Sequence, residues 1–396
     1  MRVCIIVPEY FPIPAVKGGA VETLVQSIID ENEKKKELDI VCVTKYDREA
    51  SKLYGNYKHT TFVPIRYFDR FSIMGRITAV LNYGFRALTK IDIRKKYRTN
   101  KYLNVLPNTK SDLYIFEGEN LYVNESVSQK IGKDKMVLHL HKVYKPNQEW
   151  GALFQRFIAI SKYVKDKFTK NGLIDSSRVQ VVYNGIDLAK FDKYVSEDEI
   201  KILKDKYNIP YNKQIVIYTG RIFKEKGVKE LVEAFKICKN KDKACLMICG
   251  GGMSNNNKST DYINEIKEAS KGYNIVFTGY IDNKDLYKYY KLAQVAVFPS
   301  LWEEGFGNVV IEAMLSKVPV IISKRGGMQE LVSNETGRTV ELDDDFVKNL
   351  SNSIDALLDD EDLRNKLGKK AYEFAKGFSQ EEYYKNYVQE VKNIRK

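Results

Sequence analysis

The sequence predicts an α/β protein built as two doubly wound parallel-sheet domains, and three observations predict it. Short apolar runs of strand length alternate with helical patterns, as in β-α-β units. That alternation runs from Arg2 to Val182, lapses, and restarts at Gln214; the polar, weakly patterned residues 188–213 between the two series read as the domain linker. With 396 residues, 43% of them hydrophobic, the chain has material for two cores.

The elements follow in order. Residues 2–7 read as a first buried strand, succeeded by the turn-rich PEYFPIPAVKGG. After Gly18-Gly19, Val21, Leu24, Val25, Ile28 and Ile29 fall at helical spacing and residues 38–44 form the next strand, so the glycine pair opens the helix of a β-α-β unit. The dinucleotide fingerprint G-x-G-x-x-G is absent from that turn. Residues 112–119 and 136–141 read as further strands, and alternation puts His139 and His141 on one side of the second. Residues 157–161 and 179–182, with a helix over 162–170 between them, close the first series. The second runs through strand 214–220, the loop Arg221-Ile-Phe-Lys-Glu-Lys226-Gly227, helix 228–239, strands 244–249 and 275–278, helix 284–291, strand 293–298 and strand 318–323. Ser379-Gln-Glu-Glu382 is a capping box before a last helix.

Composition narrows the function classes. Lys and Arg number 65 against 52 Asp and Glu, a formal charge of +13. That balance suits an anionic partner, whether a phosphorylated substrate, a membrane surface or nucleic acid, unless it only reflects general lysine richness. Residues 66–101 concentrate the charge: ten Lys or Arg face only Asp69 and Asp92, a local +8, interleaved with apolar residues from Tyr67 to Leu88. Such a stretch reads as amphipathic helix, lying on an anionic membrane or packed on its own domain with a solvated basic face. Cys4, Cys42, Cys238, Cys245 and Cys249 are scattered in apolar runs and read as buried hydrophobes of a reducing compartment, without the paired partners of a zinc site. The apolar run before Pro8 is too short for a signal-peptide core and no run approaches a membrane span, so a cytoplasmic protein is expected, peripheral on the inner membrane face if the basic stretch binds lipid.

The stretch with most chemistry is residues 299–316, PSLWEEGFGNVVIEAMLS, between two apolar strand patterns. In open parallel sheets such loops form the ligand crevice. Gly305 and Gly307 let backbone approach a ligand closely, and the helix beginning at Asn308 aims its first N–H groups at an anion. Glu304 and Glu312, eight positions apart, flank those donors, unless they only complement the helix dipole on a solvated face.

The spacing Glu304-GFGNVVI-Glu312 resembles the E-x7-E signature of retaining, nucleotide-sugar-dependent glycosyltransferases of the GT-B fold, family 4. Three other features agree in order: Gly18-Gly19 after a P-x-P, Asn184-Gly-Ile-Asp187, and Arg221 with Lys226. The resemblance covers most of the chain and is strongest over 214–332. It implies two Rossmann-like domains facing each other across a cleft. Residues 1–187 would bind acceptor, with the helix 379–396 packing back on them, and residues 188–378 would bind the donor.

The resemblance also implies roles. Gly18 and Gly19 would lie against the donor diphosphate, which Arg221 and Lys226 would hold without metal. Glu312 would accept from two ribose hydroxyls and Glu304 from hydroxyls of the transferred sugar. Backbone N–H groups of Phe306, Gly307, Asn308 and Val309 would meet sugar oxygens and phosphate, and backbone at Tyr280 and Ile281 would receive the base. A His near the end of the strand 136–141 would reach the donor sugar; His141 matches best, although Lys142 breaks the usual continuation and His139 stays open. No cofactor and no metal are expected: Asp343-Asp344-Asp345 and Asp360-Glu-Asp362 match D-x-D formally but read better as helix N-cap clusters. The expected function is a hexosyltransferase moving a sugar from a nucleoside-diphosphate sugar, UDP by default, to a glycan or lipid-linked acceptor of a bacterial polysaccharide or cell envelope. Nucleic acid is not an expected partner. The rivals are a GT-B nucleotide-sugar epimerase and a basic RNA-binding or scaffold protein.

Overall fold

The computed structural model describes residues 1–67, 77, 80, 82–83, 92–118, 123–146, 148–252 and 261–395. Two compact units form, Met1–Gly185 with Gln380–Lys396, and Ile186–Ser379. The first holds seven strands, β1 (Arg2–Ile6), β2 (Asp39–Lys45), β3 (Thr60–Ile65), β4 (Leu113–Glu117), β5 (Met136–Leu140), β6 (Arg156–Ala159) and β7 (Val179–Val181), in the order β3-β2-β1-β4-β5-β6-β7. Every pairing is parallel. Parallel strands need helices on both faces, which is why β4 and β5 are buried throughout and read as unbroken apolar runs.

The second unit repeats the plan with β8 (Gln214–Thr219), β9 (Ala244–Cys249), β10 (Ile275–Gly279), β11 (Val295–Phe298), β12 (Val320–Ser323) and β13 (Gly337–Val340), ordered β10-β9-β8-β11-β12-β13 and again all parallel. Its core gathers Val216, Leu231, Phe235, Leu246, Val295, Ile321, Leu350 and Ile354 among others. Chain order reverses between β1 and β4 in one sheet and between β8 and β11 in the other. The carboxyl ends of those pairs are where an open α/β sheet leaves a crevice.

Residues 188–213 are not a linker. They belong to the second unit and contain the helices Leu188–Phe191 and Glu197–Lys206. The second opens on a full capping box, Ser196 with Glu199, and the stretch is anchored by buried Phe191, Val195 and Ile209. Three apolar anchors among charged residues leave no readable period, which hid the helices. The amphipathic stretch expected over 66–101 lies largely outside the described residues; its described end includes the helix Ile93–Val105, capped by Asp92.

The last helix, Gln380–Arg395, belongs to the first unit and packs on the helix Ala20–Lys35. Tyr383, Tyr384, Tyr387, Val388 and Val391 join the core of Val25, Ile28 and Ile29. Asn32, fully buried, is the polar tie: its amide pairs with both the N–H and the C=O of Leu38, at 3.0 and 2.9 Å, and its oxygen accepts from the Tyr384 hydroxyl at 2.8 Å. Asn32→Ala should lower the free energy of unfolding by roughly 3 kcal/mol, because it strands three buried polar groups; a urea midpoint within error of wild type would show that the tie contributes nothing.

Candidate active site

In the second unit the loops after β8 and β11 are locked together by backbone. The Glu225 carbonyl accepts from the N–H groups of Leu301 and Trp302, at 2.9 and 3.0 Å. Gly227, with φ of +69°, lies so close to Pro299 that a Cβ would sit 1.9 Å from the proline carbonyl. Those contacts set Lys226 against Glu304: the ammonium ion-pairs with Glu304 Oε1, which also accepts from Ser300 Oγ at 3.0 Å. Glu304 is held in turn by its backbone, whose carbonyl accepts from Gly327 N–H at 2.7 Å. Arg221 stands exposed on the same loop as Lys226, its guanidinium 5.1 Å from the Phe223 ring. Beyond Glu304, buried Phe306 packs on Phe378, and Gly307, at φ of +112°, opens the helix Asn308–Leu315. Asn308 and Val309 thus form the first turn of that helix.

Glu312 sits in a different setting from Glu304. Tyr290 OH lies 3.3 Å from both Glu312 Oε2 and the Val309 carbonyl, and 2.5 Å from Thr219 Oγ1. Burial raises the Glu312 carboxyl above its usual range, opposed by the charge of Lys190 and the bond from Tyr290. Lys190 also donates to Asn283, in the turn that carries exposed Tyr280 and half-buried Ile281 past β10. Lys190 is thus bonded to the turn of Tyr280 and Ile281 and acts on Glu312 through its charge. Sequence reasoning missed Lys190, Tyr290 and Ser300, whose partners lie 93, 22 and 4 residues away. Only the last was within reach of a local pattern.

The first unit carries the other predicted residues, all past the carboxyl ends of strands. Gly18 and Gly19 adopt φ of +72° and +103°, and Gly19 caps the helix Ala20–Lys35. A Cβ on Gly19 would meet Glu22 Oε2 at 2.2 Å and Phe11 at 2.9 Å, whereas one on Gly18 would meet nothing within 4 Å. Gly19 is required by space and conformation, Gly18 by conformation alone. His141 follows β5, and its Nε2 lies 2.7 Å from Glu117 Oε2, the last residue of β4.

Two groupings bear on metal binding. Asp345 and Asp360 are N-cap residues of the helices Phe346–Asp359 and Glu361–Ala375; Asp360 accepts from Leu363 N–H at 2.8 Å. Glu117, His139 and His141 offer ligand atoms all within 4.8 Å of one another. Both imidazoles approach one carboxylate oxygen, at 2.9 and 2.7 Å, but only the His141 contact has hydrogen-bond geometry, and both ring nitrogens of His139 are buried without such a partner.

Two doubly wound parallel units with ligand-type loops at each strand-order reversal define a GT-B architecture, and known proteins agree. Residues 199–374, most of the second unit, match the family model described as Glycosyl transferases group 1. Among curated proteins, the chain is 34% identical over 219 residues to the capsular polysaccharide biosynthesis glycosyltransferase CapM of Staphylococcus aureus, covering 53% of this chain and 54% of that one. The chain spans about half the length of the first curated relatives it matches, 54% of CapM and 44% of an uncharacterized glycosyltransferase of Methanocaldococcus jannaschii. Among solved structures, a glycosyltransferase from Rickettsia africae has a TM-score of 0.78 at 18% identity, over 100% of this chain and 99% of that one. Anabaena HepE in complex with UDP and glucose has a TM-score of 0.72 at 17% identity, over 99% and 100%. At such identities the structural likeness is one of fold.

The turn at Gly19 can be probed by titration. Burial pushes the Glu22 carboxyl from 4.5 up to about 7, against hydrogen bonds from the backbone N–H groups of Glu22 and Phe11. Between those values the folded state binds more protons than the unfolded one, so this group's contribution to stability falls as pH rises through that window. Glu22→Gln should remove the fall, gaining about 3 kcal/mol relative to wild type between pH 4 and pH 8. Parallel pH profiles of urea unfolding for the two proteins would refute the shift.

Proposed function

We propose that the protein is a retaining hexosyltransferase that moves a sugar from a nucleoside-diphosphate sugar, with UDP as the base carrier, to a glycan or lipid-linked acceptor in bacterial polysaccharide or cell-envelope synthesis. The observation that carries this reading is the locked pair Lys226 and Glu304 at the carboxyl ends of β8 and β11, beside the helix start at Gly307. As the glycosidic bond breaks, negative charge grows on the leaving diphosphate. Fixed cations are worth most where charge develops, and Arg221 and Lys226 supply them. Glu304 meets hydroxyls of the transferred sugar, Glu312 the ribose, and the first turn of Asn308–Leu315 the phosphate. His141 reaches the donor sugar, the acceptor attacks from the face the diphosphate leaves, and the leaving phosphate assists its deprotonation. The names of CapM, a capsular polysaccharide enzyme, and of the HepE complex with UDP and glucose support the acceptor class and the base.

A hydrolysis screen across UDP-, GDP- and ADP-sugars tests the reading; turnover should be greatest with a UDP-sugar, and rapid C2 epimerisation without acceptor would replace it with the epimerase. Arg221→Ala and Lys226→Ala should each lower kcat by about 10²- to 10³-fold. Wild-type turnover in both would place the diphosphate elsewhere. Glu312→Ala should chiefly raise the donor KM, because ribose contacts are alike in ground and transition states; a fall in kcat alone would contradict that role. The protein supplies the countercharge itself, so activity should survive EDTA. Loss restored by manganese would refute a metal-free reaction.

The basic stretch 66–101 holds the protein on an anionic inner leaflet in this proposal. Among its described residues Val80 and Tyr83 are 72% and 81% exposed, as apolar groups that enter a lipid interface would be. Each basic residue near such a surface contributes about 1 kcal/mol, screened by salt. Sedimentation should therefore show binding to anionic vesicles that weakens with salt; equal or absent binding to anionic and neutral vesicles would leave the stretch an ordinary solvated face.

A further inference from the structure

β4 and β5 are paired in a register that sets Glu117 directly beside His139, and alternation brings His141 round to the same side two residues later. The three side chains meet in a buried cluster. Glu117 and His139 are fully buried, and only His141, at 8% exposure, reaches the surface. His141 Nε2 lies 2.7 Å from Glu117 Oε2 in hydrogen-bond geometry. His139 Nδ1 lies 2.9 Å from the same oxygen, with the two rings 4.2 Å apart and tilted by 39°. Tyr387, from the last helix, brings its ring within 6.2 Å of His139.

We infer that Glu117 is the positioning residue for His141, accepting its Nε2–H and so fixing both the plane of the imidazole and the tautomer that leaves Nδ1 as an acceptor. A carboxylate without its proton can only accept. Glu117 is such a carboxylate: burial favours the acid, but His139 and His141 outweigh it and hold the group down at about 2. At 2.7 Å the proton of that hydrogen bond therefore belongs to Nε2. Burial, then the charge of His139, lowers the pKa of His141, opposed by Glu117, so the ring is neutral at pH 7. A neutral ring with Nε2–H presents a lone pair at Nδ1. That atom suits a sugar hydroxyl and repels a carboxylate. His139 is fully buried against the same carboxylate oxygen. The use of His141 on the donor rests on the reading above, but its orientation by Glu117 does not.

The chain has three histidines, so ¹⁵N-histidine labelling reads them individually once His59→Asn and His139→Asn have assigned the signals. His141 should show a protonated Nε2 and an unprotonated Nδ1. Glu117→Gln is isosteric but can offer an N–H in place of the acceptor; the single tautomer should give way to a mixture or to Nδ1–H. In the same variant kcat should fall by about 100-fold, with donor KM moving less than about threefold, as for a misaligned contact in the transition state. Glu117→Asp keeps the acceptor and should restore the tautomer and part of kcat, which separates positioning from loss of fold. Nδ1–H on His141 in the wild type, an unchanged tautomer and kcat in Glu117→Gln, or one equivalent of zinc co-purifying and lost in Glu117→Gln would each overturn the inference. Because the tautomer is read without substrate, its collapse in Glu117→Gln would sustain the inference even in a protein that turns over no nucleotide sugar. In that case the transferase reading alone would fall.

Discussion

A single carbonyl oxygen, that of Glu225, sets the geometry of the second unit's site. By accepting from two successive N–H groups, Leu301 and Trp302, it fixes the loop after β8 against the loop after β11 at backbone distance. That distance excludes any side chain at position 227, where a Cβ would meet the Pro299 carbonyl at 1.9 Å. Glycine there is a condition of the approach, and the approach is what brings an ammonium from one strand end to a carboxylate from another. The same logic recurs one layer on: a Cβ on Gly326, at φ of +65°, would lie 2.5 Å from the backbone N and O of Glu304. The Glu304 backbone is thus held against a position that only glycine permits, and Ser300 adds a hydrogen bond to the oxygen that faces Lys226.

The architecture was legible because parallel strands, buried on both faces, leave unbroken apolar runs that alternate with helical spacing. The strands it hid are edges. β3, TTFVPI, mixes threonines with a proline whose missing N–H is tolerated at the border of a sheet, and β13, GRTV, is four residues long. Neither carries a full apolar run, so neither announces itself. The helix Glu197–Lys206 escaped for the complementary reason: it has no buried residue, so its evidence lies in its caps and not in its period.

In the site, sequence located loops better than partners. Glycines and charged residues at strand ends marked Arg221, Lys226, Glu304 and Gly307 as a group, since motif spacing is local. It gave the two glutamates different roles but not their different surroundings. Glu304 faces a cation and Glu312 a phenol, with Lys190 acting on it from a helix far back in the chain. Glu117 went unnoticed for a related reason. Within DLYIFEGE it is one more acid at a strand end, and only the register of β4 on β5 makes it the neighbour of two imidazoles.

The carboxyl end of the first sheet gathers three recessed acids, and their environments drive them apart. Glu9, past β1, is pushed up to about 7 by burial even though Arg98 approaches its carboxylate at 3.1 Å. Glu22, one turn into the following helix, is pushed as far by burial with only backbone N–H groups to oppose it. Glu117, the most buried, goes the other way, because two imidazoles converge on one of its oxygens. Burial alone would raise all three; Glu117 differs because the imidazoles beside it can carry charge as well as donate, His139 above all. One end of this sheet therefore holds an acid kept ionised beside two that burial shifts toward neutrality, three carboxyls set apart by their neighbours alone.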